Sequence, residues 1–433
     1  MGGLDVAVVG GGLSGLTAAT IAARAGLAVG LFEKAAALGG RARTRDQGGF
    51  LFNLGPHALY RSGEAMAILR ELRVPFGGRR PPAGGGYAIR DGRRHTLPAG
   101  AYSMMTTGLL PLLGKVEASR FLARLGGLGT SSHDGVSLAA WLRSEVRHPD
   151  VREVLAGFFR VATYAHDPER QSAGAALAQL QRAASAGVLY LDGGWQTLVD
   201  GLRQAAFAAG AVLSDRSGVA ELDQGAGAPF RLRLTAGGDV EARSVVVAAS
   251  PAEAATLLGS HAPETRGWSA DAVPARAATL DLALRRLPRP ASTFALGIDE
   301  PLYASVHTAA ARLAPEGGAV LHLARYLGAS PAADAKTVEG QLAELAELLQ
   351  PGWRNEVVAQ RFLPDLVVSN ALVRADRGGA AGRPGPLVPG LAGAFVAGDW
   401  VGPQGMLADA AVASARDAAR LAIAHAKGSG LEL

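Results

Sequence analysis

The chain has 433 residues, no cysteine, and a formal charge of +5 from 43 basic and 38 acidic side chains. Hydrophobic residues make up 48% and charged ones 19%, which suits two closely packed globular domains and excludes a disordered chain. The missing cysteine excludes disulfides, thiolate nucleophiles, cysteine-ligated metals and dithiol relays. The basic residues are scattered and nearly all arginine, with lysine only at Lys34, Lys115, Lys336 and Lys427. No basic stripe with interleaved aromatics marks a nucleic-acid surface.

The opening predicts a buried strand over Asp5–Val9, a glycine turn, and a helix from Leu13 to about Ala25 with Gly26 at its C-terminal cap. A second strand, Ala28–Phe32, ends at Glu33. Val6–Ala23 is uncharged, yet the glycines at 10, 11, 12 and 15 break it as a membrane span, and no basic segment precedes it as in a signal peptide. Tyr87–Leu97 alternates around Asp91-Gly92, the pattern of a β-hairpin. Residues 103–187 read as a helical insert, with Ser137 as a helix cap. Tyr190–Trp195 turns into another helix, and Arg231–Thr235, Val240–Ala248 and Ala319–Leu323 read as strands. Ala381–Gly390 looks like a connector, Ala394–Asp399 a short strand, Leu407–Ala426 the last helix, and Gly428–Leu433 a flexible tail.

Gly10-Gly11-Gly12-Leu13-Ser14-Gly15 places G-x-G-x-x-G between the first strand and the first helix. The first glycine permits the tight turn, the second lets the backbone approach a pyrophosphate, and the third allows close helix–strand packing. The phosphates then meet the positive N-terminal end of the helix. Glu33 stands about 20 residues on, where an acid accepts ribose hydroxyls and repels a 2′-phosphate. Strand, turn, helix, strand and acid together predict a dinucleotide site. No second such motif follows a strand, so a separate nicotinamide site lacks support.

Further along come Gly39-Gly40-Arg41, Asn53-Leu54-Gly55-Pro56-His57, Tyr190-Leu191-Asp192-Gly193-Gly194-Trp195, Ser244–Pro251, Gly398-Asp399 and Gly405-Met406-Leu407. In this order the chain resembles the flavin amine oxidase and phytoene desaturase superfamily over nearly its whole length. The resemblance implies an α/β fold: a Rossmann-like FAD-binding domain (1–80, 188–265 and 385–433) and a second α+β substrate domain (81–187 and 266–384). It implies non-covalent FAD held by Gly10, Gly12, Leu13, Ser14 and Gly15 at the pyrophosphate, and by Glu33 and Lys34 at the adenosine end. By the same resemblance, Gly40 and Arg41 would lie along the diphosphate or ribityl chain, Val219 would meet adenine through its backbone, and Gly398 and Asp399 would bind the ribityl–phosphate region. The resemblance also implies that Met406 and Leu407 bring backbone N–H groups to the flavin and that Gly55, Pro56 and His57 lie near its ring.

For the chemistry, His57, Trp400 and Tyr164 are the candidate catalytic residues, each with an ordinary alternative. A lone histidine is more often structural, a tryptophan after Gly-Asp also serves as core, and capping at His166-Asp167-Pro168 accounts equally for the cluster around Tyr164. The ending Gly402–Met406 with Ser414-Ala415 resembles phytoene desaturases more than amine oxidases, and the four lysines sit in unpromising contexts for the flavin-facing lysine that amine oxidases often keep. The expected activity is therefore an FAD-dependent dehydrogenase or desaturase of a small hydrophobic substrate, reoxidised by dioxygen or a quinone. An amine or amino-acid oxidase and a flavin-dependent isomerase are the alternatives. A cytoplasmic location is expected, and Met104-Met105…Leu112-Leu113 either packs in the core or touches a bilayer surface.

Overall fold

The structure is a computed structural model describing residues 3–82, 84, 86–225, 227–328 and 334–428. The expected tail beyond Gly428 lies outside the described residues. Leu4–Val9, Val29–Phe32, Val212–Ser214, Asp239–Val247 and Ala394–Val396 form a parallel sheet. Their order across it is 212–214, 29–32, 4–9, 239–247, 394–396. Residues 6–9, 29–32, 245–247 and 394–396 are buried on both faces, as a sheet covered by helices on either side requires. Leu13–Arg24, Gln196–Ala208 and Leu407–Ala426 pack together over one face around Leu16, Ala19, Leu198, Leu202, Val412 and Ala415. An antiparallel extension, Val219–Gln224 and Phe230–Leu234, continues from the first half of the 239–247 strand.

The second sheet runs 357–369, 275–284, 319–327, 302–306, 294–297, 86–90, 93–96. Period-two alternation divides the strand 275–284. Ala278, Leu280, Leu282 and Leu284 pack with Val338, Leu342 and Leu345 of the helix Ala335–Leu349. Ala277 and Thr279 face a large cavity, while Ala283 meets Phe50, Phe52 and Tyr190 of the first domain. The strands of the first sheet all fall within 1–80, 188–265 and 385–433; those of the second fall within 86–96 and 275–369. The architecture is two-domain α/β, as expected.

The predicted hairpin forms with Asp91 and Gly92 both at positive φ (49° and 68°), the geometry of a two-residue turn of the primed type. Ser137 caps its helix by accepting from Ala140 N at 3.2 Å. No helix starts at His166-Asp167-Pro168, the next beginning at Ala173, capped by Ser172; Tyr164 is instead the C-terminal cap of the helix Pro149–Thr163. Among the described residues, no helix is long and apolar enough to cross a membrane.

One polar row crosses the second sheet in register: Ser305, His322, Asp281 and Arg361. His322 Nδ1–H donates to Asp281 Oδ1 at 2.6 Å, both residues being fully buried, and Arg361 donates to Asp281 Oδ2 through Nε at 3.1 Å and Nη2 at 2.5 Å. Arg361 also donates to the carbonyl of Asn53, tying this sheet to the first domain. Removing the carboxylate strands a buried guanidinium, so Asp281→Ala should cost about 3–5 kcal/mol. Asp365→Ala, which breaks an exposed pair with Arg276, should cost less than about 1 kcal/mol. Denaturant unfolding of the two variants checks the contrast.

Candidate active site

A cavity of ≈ 810 Å³ lies between the two sheets, bordered at one end by the glycine turn and at the other by strands 275–284 and 319–327. Gly10 (φ 104°) makes the turn, and a Cβ there would meet Ala248 O at 2.5 Å. A Cβ on Gly15 would meet Gly10 O at 1.8 Å, so the first turn of the helix can sit against the loop only with glycine there. A Cβ on Gly12 would meet nothing within 4 Å. That position opens into the cavity. Gly12 is also the N-terminal cap of the first helix and offers no capping side chain. The positive end of this helix dipole therefore faces open space. Beside it Gly39 bridges to Gly12, and Gly40 follows at φ 52°.

Glu33 closes this end. Its carboxylate accepts from Gly11 N at 2.6 Å and from Ala35 N at 2.7 Å, which fixes the acid directly under the turn. Lys34 reaches Glu253 at the rim, and Val219 borders the same region. Where the domains meet, Asp399 is 2% exposed. It accepts from Arg41 Nη1 at 2.7 Å and from Asn370 N and Nδ2 at 3.0 and 2.9 Å. Burial alone would raise its pKa, but the Arg41 charge and the Asn370 donors outweigh it and hold the carboxyl below its ordinary range. Arg41 also donates to Val368 O at 2.9 Å, so this ion pair bridges the second sheet to the loop after strand 394–396.

The last helix presents a second uncapped N-terminus: Met406 supplies no capping side chain, and Leu407, at φ 55°, borders the cavity. Ser414 secures it, accepting from Gly398 N at 3.0 Å and donating to Gly398 O at 2.9 Å. Arg383 clamps the intervening loop through Asp399 O at 3.1 Å and Gly405 O at 2.8 Å, so the expected connector carries a structural arginine.

Of the residues singled out from sequence, Gly10, Gly12, Leu13, Ser14, Glu33, Lys34, Gly40, Arg41, Pro56, His57, Val219, Gly398, Asp399, Leu407 and Tyr164 border the cavity. Gly15, Gly55 and Met406 do not border it. Trp400 is turned away: its indole donates to Ala249 O at 3.0 Å and packs on Trp268 within a buried cluster. His166 lines a separate, smaller cleft. His57 Nδ1–H donates to Gly55 O at 3.1 Å, and its ring meets Trp195 edge-on. Burial, with His322 and Arg41 nearby, lowers its pKa to about 4 against the opposing pull of Gly55 O. The imidazole is neutral at pH 7 and a weak base.

Sequence reasoning passed over Tyr60, Trp195, Thr279, Tyr326, Asn370, Arg383 and Asp409. Trp195 Nε1, Thr279 Oγ1, Tyr326 Oη and Asp409 Oδ2 are buried without a hydrogen-bond partner, all on residues bordering the cavity. Asp409 Oδ1 accepts from Ala65 N at 2.9 Å, Arg182 Nη1 lies 3.6 Å from Oδ2, and burial raises the acid to about pKa 6. Its position in the first turn of the last helix was the one available signal.

An elongated cavity with one helix N-terminus at the glycine turn, an acid beneath it and a second helix N-terminus at the domain junction suits a phosphate-bearing cofactor. Comparison makes the class specific. Residues 13–423 match the family described as flavin containing amine oxidoreductase, and the chain belongs to it. It is an oxidoreductase that uses a flavin, and the uncapped helix ends and the open cradle at Gly12 fit such a group. A carotenoid 3,4-desaturase of Haloarcula japonica is 52% identical over 56 residues, 13% of this chain and 11% of that protein. An oxidoreductase from Methanosarcina mazei superposes with a TM-score of 0.75 at 18% identity, covering 95% of this chain and 99% of that one. Cyclohexylamine oxidase from Brevibacterium oxydans gives 0.70 at 16% identity over 97% and 99%. These two structures share the fold.

Two outcomes test the site. Glu33→Ala removes the acceptor beneath the turn and should weaken flavin binding at least about tenfold, read from flavin retained per protein on purification and by titration. At Asp409 the raised pKa means that the folded protein binds more protons than the unfolded chain between about pH 4 and 6. Stability tied to this group is present in acid and lost as pH rises through that window, on the order of 2–3 kcal/mol. Asp409→Asn should remove that pH dependence, so that the variant gains on the wild type in thermal melts as pH rises from 4 to 7.

Proposed function

We propose that this enzyme is an FAD-dependent dehydrogenase or desaturase of a hydrophobic organic substrate, with FAD held non-covalently and reoxidised by dioxygen or a quinone. FAD, with its adenosine, is favoured because the cavity continues past the glycine turn to Glu33 and Val219. The absence of cysteine rules out a thioether tether. The observation that carries the substrate class is the far end of the cavity, where Tyr60, Tyr164, Trp195, Ala324, Tyr326 and Leu366 supply rings and aliphatic groups.

Each acid bordering the cavity has a partner, and only Asp409 keeps an oxygen, Oδ2, without a hydrogen bond. Glu33 is held by backbone N–H groups, Glu253 by Lys34, Asp399 by Arg41, and Asp409 by Ala65 N beside Arg182. Of the four carboxylates on the lining, none is without a cation or an N–H group beside it, Arg182 standing 3.6 Å from Asp409 Oδ2. Bound flavin supplies the hydride acceptor. The chain's own part is to hold the donor C–H in place and keep water out with this aromatic lining. His57, uncharged, adds no field that would oppose an apolar donor.

The tyrosine rings favour a second reading, since they would also take an alkylammonium by cation–π attraction, as an amine oxidase requires. Anaerobic titration of the purified yellow protein separates the two. Polyene or other apolar C–H donors should bleach the flavin absorbance, and alkylamines should leave it unchanged. Bleaching by amines alone would reverse the assignment.

A further inference from the structure

The helical insert carries a surface that the cavity chemistry does not use. Tyr102 and Met105, on the helix Ala101–Thr106, are 76% and 69% exposed. Leu112, Leu113 and Val116, on the helix Leu112–Arg124, are 78%, 70% and 41% exposed. Of the nine large apolar side chains exposed among the described residues, these five fall within one short stretch. The neighbours Met104, Leu109, Leu110 and Ala118 point inward and are buried in the insert's own core. Each helix is thus anchored by one apolar set while showing a second to solvent, so the exposure does not come from an unfilled core.

Cations accompany it. Lys115 donates to Met105 O at 2.8 Å, which links the two helices beneath the apolar side chains. Arg120 and Arg124 continue the exposed side of the longer helix, one and two turns beyond Val116. The acid on this helix, Glu117, is turned to Arg147 N, His148 N and His148 Nδ1, leaving these three cations uncompensated by it.

Protruding apolar side chains backed by unpaired cations match the interface of an anionic bilayer, where chains of this kind bury among acyl groups while lysine and arginine meet the headgroups. We propose that residues 102–124 form a docking surface for an anionic lipid membrane. A surface built for a second copy of the chain would meet its own cations across a twofold axis, which the charge disfavours.

The test uses the purified full-length protein without substrate, so that it does not depend on the redox assignment. Co-sedimentation with phosphatidylglycerol–phosphatidylcholine vesicles should show binding that weakens with salt, and pure phosphatidylcholine vesicles should bind at least tenfold less. The double variant Leu112→Glu/Leu113→Glu should lose at least tenfold in vesicle affinity. Tyr102→Ser/Met105→Ser, which adds no charge, should lose several-fold with an unchanged circular dichroism melt. No binding to anionic vesicles, binding indifferent to both double variants, or a dimer in sedimentation velocity that both double variants dissolve would each overturn the proposal.

Discussion

The rest of the site is arranged around the uncapped end of the first helix, held within hydrogen-bond reach of an acid. Gly11 N–H binds the Glu33 carboxylate at 2.6 Å, while Gly10 and Gly15 approach so closely that no side chain fits between them. The turn is therefore rigid, with one concave side lined by backbone dipoles and its far rim by a negative charge. Such a surface attracts phosphate at the helix and hydroxyl groups at the acid. The position of Gly12, the bridge to Gly39 and the course of the cavity follow from that constraint.

A second constraint joins the domains. Arg41 leaves the glycine pair of the first domain and meets Asp399, which is also held by Asn370 from the end of the longest strand of the second sheet. Arg361 reaches in the other direction, from the second sheet to the carbonyl of Asn53. Both links are charged and largely buried, so they hold their geometry only while the domains stay packed. Losing one partner is costly, which suits a cavity whose two walls come from different sheets.

The far end of the cavity is built differently. Tyr60 ends the short strand Leu59–Tyr60, Tyr164 ends a helix of the insert at φ 54°, and Thr279 and Tyr326 stand on neighbouring strands of the second sheet. A non-glycine residue at positive φ is strained and persists where its surroundings over-determine it. Tyr164 and Leu407 both show this and both border the cavity, one on each domain. Preorganised backbone at two points of the wall is consistent with a site shaped in advance of its ligand.

The sequence by itself determined the cofactor end, because its signals are local. A strand, three spaced glycines, a helix and an acid at the next strand end lie within a short stretch; Gly10 and Gly15 answer backbone requirements that no other residue meets, and Gly12 leaves the space in front of the helix open. The hairpin at Asp91-Gly92, the Ser137 cap and the last helix were legible for the same reason. Tertiary structure alone decided what the cavity's far wall is made of. Tyr60, Thr279 and Tyr326 look like ordinary core residues in their own segments, and periodicity records that a face is buried without recording what it is buried against. Trp400 beside Asp399 and Asp409 beside Leu407 show the limit in both directions. One side chain turned into the core and the other stayed at the cavity wall, and the difference came from packing partners more than a hundred residues away.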